Sequence, residues 1–316
     1  QTKSTSLLLK GTVGRRGEYN PVTSPDNSKI IFNTYRFSGW KLGIGDFDGN
    51  KISNVKKLTN RRNYEYCAQY SPDGSKVAYG FQNNLYVKDL VTGDTRQFTF
   101  DGEKNSIING ITDWVYEEEF SFVRAFDWNA DGDKIAFIRF DETEVPEFSM
   151  DVFGSGLYQT QQVFKYPKAG EANSKVSLHL YDLKTEKVSE LKVDKRYEDF
   201  YIPRLKWTNN ADVLSVQYMN RHQNELDLWM IDAVKRTSTL ALAETDTAYI
   251  DVTFNLTFLK DNSFIWTSEK DGYNHIYHYD KTGTLKNQIT KGNWEVTKYY
   301  GLDKTTNKIF YQSVEN

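Results

Sequence analysis

Three stretches, TSPDNSKIIF at 23–32, YSPDGSKVAY at 70–79 and WNADGDKIAF at 128–137, decide how this chain folds. In each, an aromatic or apolar strand leads into an Asp-centred turn and then into a second short strand, such as Lys76 to Tyr79, which is what a β-hairpin made by turn chemistry looks like. Degenerate copies follow as WTNNADVLSVQY from Trp207, FLKDNSFIWT from Phe258 and LDKTTNKIFY from Leu302. Taking the second residue of each copy as a phase mark places them at 24, 71, 129, 208, 259 and 303, with steps of 47, 58, 79, 51 and 44. Most of these steps lie near the roughly 40–50 residues of one propeller blade.

Each unit continues as a blade does. A third strand alternates and ends near Asp, as in NLYVKDL from Asn84, SLHLYDL from Ser177, LDLWMID from Leu226 and HIYHYD from His275. A more polar fourth strand follows, as in TRQFTF from Thr95 or LKNQIT from Leu285. Four strands per repeat, set radially, protect sheet edges in a β-propeller. The expectation is therefore an all-β fold, one propeller domain over residues 1–316 with about six four-stranded blades. The final unit has no third or fourth strand after Ile309–Val314, and SLLLKG at Ser6–Gly11 is a candidate to complete it from the other end of the chain. Otherwise the chain is a piece of a larger ring.

Composition agrees. Aromatic residues make up 15% of the 316, with 21 Tyr, 19 Phe and 7 Trp, a bias toward residues that fit pleated sheets. Forty Lys and Arg against 43 Asp and Glu leave a net charge of −3, so there is no basic field for nucleic acid or an anionic membrane. Cys67 is the only cysteine, which excludes an intrachain disulfide. No apolar run is long enough for a membrane span, and no signal-peptide pattern opens at Gln1, as a mature or trimmed chain would read.

The two long steps mark insertions. The second contains Asp141–Ala172, expected as a loop with acidic, Gly and Pro punctuation, and the first contains DWVYEEEF at 113–120. Three consecutive carboxylates beside a Trp and a Tyr repel one another and are poorly screened. In a strand, successive side chains point to opposite faces, so Glu118 and Glu119 converge only if the segment leaves the sheet. A short helix does this: Asp113 is a suitable N-cap, no Gly or Pro interrupts the next seven residues, and adjacent helical positions lie roughly 100° apart. An ammonium group is the natural guest, each carboxylate offering on the order of 4 kcal/mol of gross attraction at about 4 Å before desolvation is subtracted. The competing reading is a solvated acidic turn.

Calcium is the other rival, but it needs six to eight oxygens on a loop that doubles back, and the Asp-Gly pairs at Asp73, Asp131 and Asp271 fall where hairpin turns belong. His275 and His278, three apart on a strand, face opposite sides and suit no shared metal. No metal or cofactor is called for. Trp114, Tyr116 and Phe120 are expected as exposed aromatics that pack the helix or line a side-chain pocket, and Arg124 is placed to offset the like charges.

From about Asn60 onward the chain resembles the propeller of the dipeptidyl peptidase IV family of serine exopeptidases. The matching stretches are NGITDWVYEEEF (Asn109–Phe120), FDETEVPEFSM (Phe140–Met150), YPKAGEAN (Tyr166–Asn173), EKDGYNHIYHY (Glu269–Tyr279) and TKGNWEV (Thr290–Val296). The resemblance implies an eight-bladed ring, a short helix projecting into its cavity, and substrate N-termini gripped by Glu118 and Glu119, with Asp113, Trp114, Tyr116, Glu117 and Arg124 in support. It offers Arg36 as the candidate for a substrate carbonyl, although the segment from Gly17 to Asn50 looks more TolB-like, where such an arginine is structural. Family members add an α/β-hydrolase domain with a G-x-S-x-G elbow, and no such motif occurs here. The implied partners are peptide N-termini and that hydrolase domain, with a homodimer left open and an extracytoplasmic setting, periplasmic or secreted. A stand-alone TolB-like propeller acting as a protein-interaction module is the rival.

Overall fold

A computed structural model of the chain describes residues 8–9, 17–61, 63–193, 197–303 and 305–315. The chain divides into two compact units, residues 1–190 and 191–316.

Among the described residues, the first unit holds three blade-like sheets and one separate two-stranded sheet. β1 (Tyr19–Thr23), β2 (Lys29–Thr34), β3 (Lys41–Phe47) and β4 (Ile52–Lys57) form an antiparallel sheet in sequence order. β5 (Tyr66–Tyr70), β6 (Lys76–Phe81), β7 (Asn84–Asp89) and β8 (Thr95–Gln97) repeat it. The third is less regular. After β9 (Ile107–Asn109) and the helix α1 (Trp114–Glu118) come β10 (Phe126–Trp128), β11 (Lys134–Asp141), β12 (Glu147–Val152), β13 (Thr160–Lys165), β14 (Lys175–Asp182) and β15 (Lys187–Glu190). The sheet runs β10-β11-β14-β15, with β9 also on β11, while β12 and β13 pair only with each other.

The second unit repeats the plan in β16 (Phe200–Trp207), β17 (Val213–Asn220), β18 (Glu225–Asp232) and β19 (Thr237–Thr245), then in β20 (Thr257–Phe258), β21 (Phe264–Ser268), β22 (His275–Tyr279) and β23 (Leu285–Gln288). β24 (Val296–Asp303) and β25 (Lys308–Ser313) form a two-stranded sheet. Every repeat therefore yields a hairpin at the predicted phase. The second strand of a sheet is buried on both faces, as in β6 and β21, whereas the fourth, as in β8 and β23, is largely exposed.

Within the first unit, consecutive sheets pack face to face. Ile31, Leu42, Val77 and Tyr79 join the first to the second, and Ala78, Leu85, Phe126, Ile135 and Phe137 join the second to the third. Such apolar burial is worth roughly 1.5–3 kcal/mol per large side chain.

Two expectations change. The insertion after Asp141 is not simply a loop: β12 and β13 build a hairpin whose Phe148 and Phe164 pair across the strands with rings 5.8 Å apart. Cross-strand aromatic pairs favour this register. The candidate closing strand, Ser6–Gly11, lies outside the described residues except for Leu8 and Leu9. Leu8 O accepts the Ile52 N–H at 2.8 Å and Leu9 packs on Ile30, Phe32 and Ile52, so this piece lies on the first sheet.

Candidate functional site

The acidic motif stands out of the third sheet because one strand of that sheet is broken in two. β9 pairs Asn109 with Arg139, and β10 pairs Phe126 with Phe137, so both lie along one edge of β11 and residues 110–125 make an excursion between them. Backbone bonds close its base: Gly110 N to Ile138 O at 2.9 Å, Ala125 N to Gly110 O at 3.0 Å and Thr112 N to Val123 O at 3.1 Å. Gly110 makes the exit with φ +67°, and a Cβ there would lie 2.5 Å from Leu85 Cδ1, so glycine is required twice over.

Helix α1 occupies this excursion. Asp113 caps it as the sequence predicts, its Oδ1 accepting the Tyr116 N–H at 3.0 Å. Its Oδ2 accepts the Ser174 hydroxyl at 2.5 Å. Tyr116 and Phe120 are buried rather than exposed, and Tyr116 meets the rings of Phe120, Phe122 and Phe140 at 5.1, 5.9 and 4.9 Å. Trp114 is half-buried with its ring edge-on to Tyr166 at 4.2 Å. All three aromatics pack the helix in place.

What is left outward is the acid. Glu117, Glu118 and Glu119 are exposed. Glu118 is the last helical residue, and Glu119 is the C-cap with φ −82° and ψ −37°, so both keep helical backbone and project as near neighbours instead of to opposite faces. Among the described residues no hydrogen bond or ion pair engages either side chain. No basic residue occupies the last turn. Acids at that end oppose the partial negative charge of the terminal carbonyls, an arrangement that costs stability.

Glu117 and Arg124 face elsewhere. Burial pushes the Cys67 thiol up to about 12, with Arg124 pulling it down and Glu117 pushing it up, so both charges act on β5. Arg124 bridges Ile111 through its backbone and makes no ion pair with the glutamates among the described residues. Arg36 lies in the connection from β2 to β3, where its Nε donates to Glu18 Oε1 at 2.8 Å.

Beneath the helix lie groups that the sequence reading passed over. Glu142 is buried near Asp113, and burial together with the Asp113 charge pushes its carboxyl up to about 7. Burial also raises Asp113, against the donors that it accepts. Glu142 falls inside FDETEVP and Ser174 directly follows YPKAGEAN, so the signal was a recognised motif without an assigned role.

The second unit has a cavity of about 550 Å³ lined by Glu244, Asp246, Asp251, Glu269 and Lys270, among others. Lys270 Nζ donates to the Tyr279 hydroxyl at 2.6 Å and lies 4.0 Å from the centre of the Tyr277 ring. His179, His275 and His278 lie on strands, and the ring nitrogens of His275 meet Thr290 Oγ1 and Gly292 O, each at 3.1 Å.

Successive four-stranded antiparallel sheets and, among the described residues, one short acid-bearing helix define a β-propeller protein. Its family is that of the dipeptidyl peptidase IV (DPP IV) N-terminal region, to which this chain belongs: the family model matches residues 24–316, which takes in β2–β4 of the first sheet. The crystal structure of Porphyromonas gingivalis dipeptidyl peptidase 4 superposes with a TM-score of 0.86 at 36% identity, over 96% of this chain and 44% of that one. A probable dipeptidyl-aminopeptidase B of Pyrenophora teres is 31% identical over 99% of this chain and 38% of its own length. A mouse protein described as inactive dipeptidyl peptidase 10 is 27% identical over 92% of this chain and 36% of its own length. The chain thus spans less than half the length of these relatives.

Proposed function

We propose that this chain is the substrate-selecting propeller of a dipeptidyl-peptidase-type exopeptidase, recognising a free peptide N-terminus through Glu118 and Glu119 and working with an α/β-hydrolase domain that carries the cutting residues. The observation that supports it most is the pair of exposed carboxylates, unengaged among the described residues, at the end of a helix anchored by its cap and its aromatic face. An α-amino group with a pKa near 8 is charged at neutral pH and can donate to both. An acylated N-terminus cannot, so substrates would be measured from the chain end.

Catalysis does not follow from the propeller. A relative described as inactive matches over nine-tenths of this chain, alongside relatives named for the activity. Selection is assigned to these residues and bond cleavage to the partner domain.

Calorimetric titration with a short peptide and its N-acetylated twin tests the reading. The free peptide should bind weakly and the twin should not, with affinity fading between pH 7 and 9 as the amine loses its proton. Replacing Glu118→Gln together with Glu119→Gln should cost about tenfold or more, the worth of one or two exposed charge-assisted hydrogen bonds. Equal binding of the twins would overturn it.

A further inference from the structure

The connection from β11 to β14 touches the glutamate helix at two points and acts on it by charge at a third. Ser174 bonds Asp113 Oδ2, Tyr166 meets the ring of Trp114, and Glu142 lies at 6% exposure close enough for its charge to feel that of Asp113. The first two are ordinary anchors. Glu142 differs, because among the described residues its carboxyl makes no hydrogen bond and no ion pair, although it is withdrawn from water beside a second carboxyl. Its backbone is held: the N–H donates to Ser106 O at 2.8 Å, and its carbonyl accepts the Val145 N–H at 3.1 Å. The charged groups acting on it are Asp113 from the cap of α1, Asp141 from the end of β11 and Lys165 from the end of β13. Lys165 Nζ is already bonded to the carbonyls of Thr143 at 3.3 Å and Val145 at 2.8 Å.

A buried carboxylate keeps its charge where donors surround it and gives it up where none do. Asp113 has the Tyr116 N–H and the Ser174 hydroxyl, whereas Glu142 has neither, so the proton of the pair stays on Glu142. We propose that Glu142 is a positioning residue for the paired glutamates: as a neutral acid it lets the Asp113 carboxylate cap α1, and as an anion it loosens that cap and the helix above it. The step is a proton lost from the Glu142 carboxyl to water, with a like charge left beside Asp113. Burial and Asp113 place this loss at about 7, near neutral pH. The consequence for peptide binding rests on the proposed function; the consequence for the helix does not.

The test is amide hydrogen exchange at Tyr116 and Glu119 in the peptide-free chain from pH 6 to 8, corrected for the intrinsic pH dependence of exchange. Protection in the unaltered chain should fall roughly threefold to tenfold across that range, as expected for a local opening gaining about 1 kcal/mol. Glu142→Gln, a neutral isostere, should hold it constant, and Glu142→Asp should restore a slope. Parallel profiles in the unaltered chain and Glu142→Gln would overturn the proposal. Should Glu142→Gln not fold, carbon-13 titration of the Glu142 carboxyl decides instead: a midpoint near 7 supports the proposal, and one in the ordinary glutamate range sinks it. The peptide twins supply the second arm. Twins that bind equally while exchange still follows Glu142 remove the proposed function and leave this inference standing; discrimination by the twins with flat exchange does the reverse.

Discussion

Asp73 and Asp113 have nearly the same partners, yet their carboxyls are shifted in opposite directions. Each accepts a serine hydroxyl at 2.5 Å, from Ser71 and Ser174, and a backbone N–H at 3.0 Å, from Ser75 and Tyr116. At Asp73 partial burial raises the carboxyl, but the Ser71 and Ser75 hydroxyls and the Ser75 amide outweigh it and leave about 2. At Asp113 burial wins over its donors and the carboxyl is raised. The difference is water: Asp73 is on an exposed hairpin turn, whereas Asp113 is 6% exposed under aromatic rings. Donor count alone therefore does not fix the sign of a shift. The propeller repeats make the anion cheap; the excursion that carries α1 makes it expensive, and does so directly beneath the candidate site.

The largest blow to that contrast is Tyr116→Ala. The ring is 1% exposed among three others, and a cavity of that size in a close-packed cluster costs about 3–5 kcal/mol. Denaturant unfolding should show the loss. Water admitted to the space should also bring the Asp113 carboxyl back toward the ordinary range, erasing its difference from Asp73. A stability change below about 1 kcal/mol would mean that the cluster does not hold the helix.

Glu142→Gln sharpens the contrast at smaller cost. Glu142 is raised to about 7 in the fold and titrates near 4.5 when free, so its contribution is fully present below about 4.5 and is lost as pH rises to about 7. The unaltered chain should lose about 2 kcal/mol over that window relative to the Gln variant, a figure scaled down from the full shift because a buried site relaxes and admits water. Equal slopes in unfolding free energy against pH would show that Glu142 titrates alike in the folded and unfolded chain.

These residues also show what a sequence can disclose. The hairpin turns are local: Asp26 and Asp73 bond serines two residues away, so SPDNS and SPDGS announce their geometry and the blade phase with it. The helix was legible for the same reason, since a cap and its amide lie three residues apart. Ser174 reaches Asp113 across 61 residues, and nothing in the spacing of either reveals the other. Phe120 and Tyr116 misled because an aromatic beside three glutamates reads as exposed, while the partner that buries Tyr116, Phe140, comes from β11. The β12–β13 hairpin hid for a different reason, because its strands alternate without a buried face and most of their residues are exposed.

Asp73→Asn gives the smallest effect and the cleanest control. An amide oxygen keeps an acceptor for Ser71 and Ser75, so the turn should persist while its charge goes. With the folded carboxyl at about 2 and a free one near 3.8, the stability that Asp73 lends is present above about 3.8 and lost as pH falls toward 2. Solvent screening at this exposed turn reduces it to well under about 1 kcal/mol. Urea midpoints collected between pH 2 and 5 should therefore fall slightly less steeply for the Asn variant, with the two curves parallel above pH 5. The Glu142 window, between about 4.5 and 7, should be untouched by this change. If it shifts instead, Asp73 and the acids under α1 are coupled through the sheets, and the separation of cheap turn anions from costly helix anions fails.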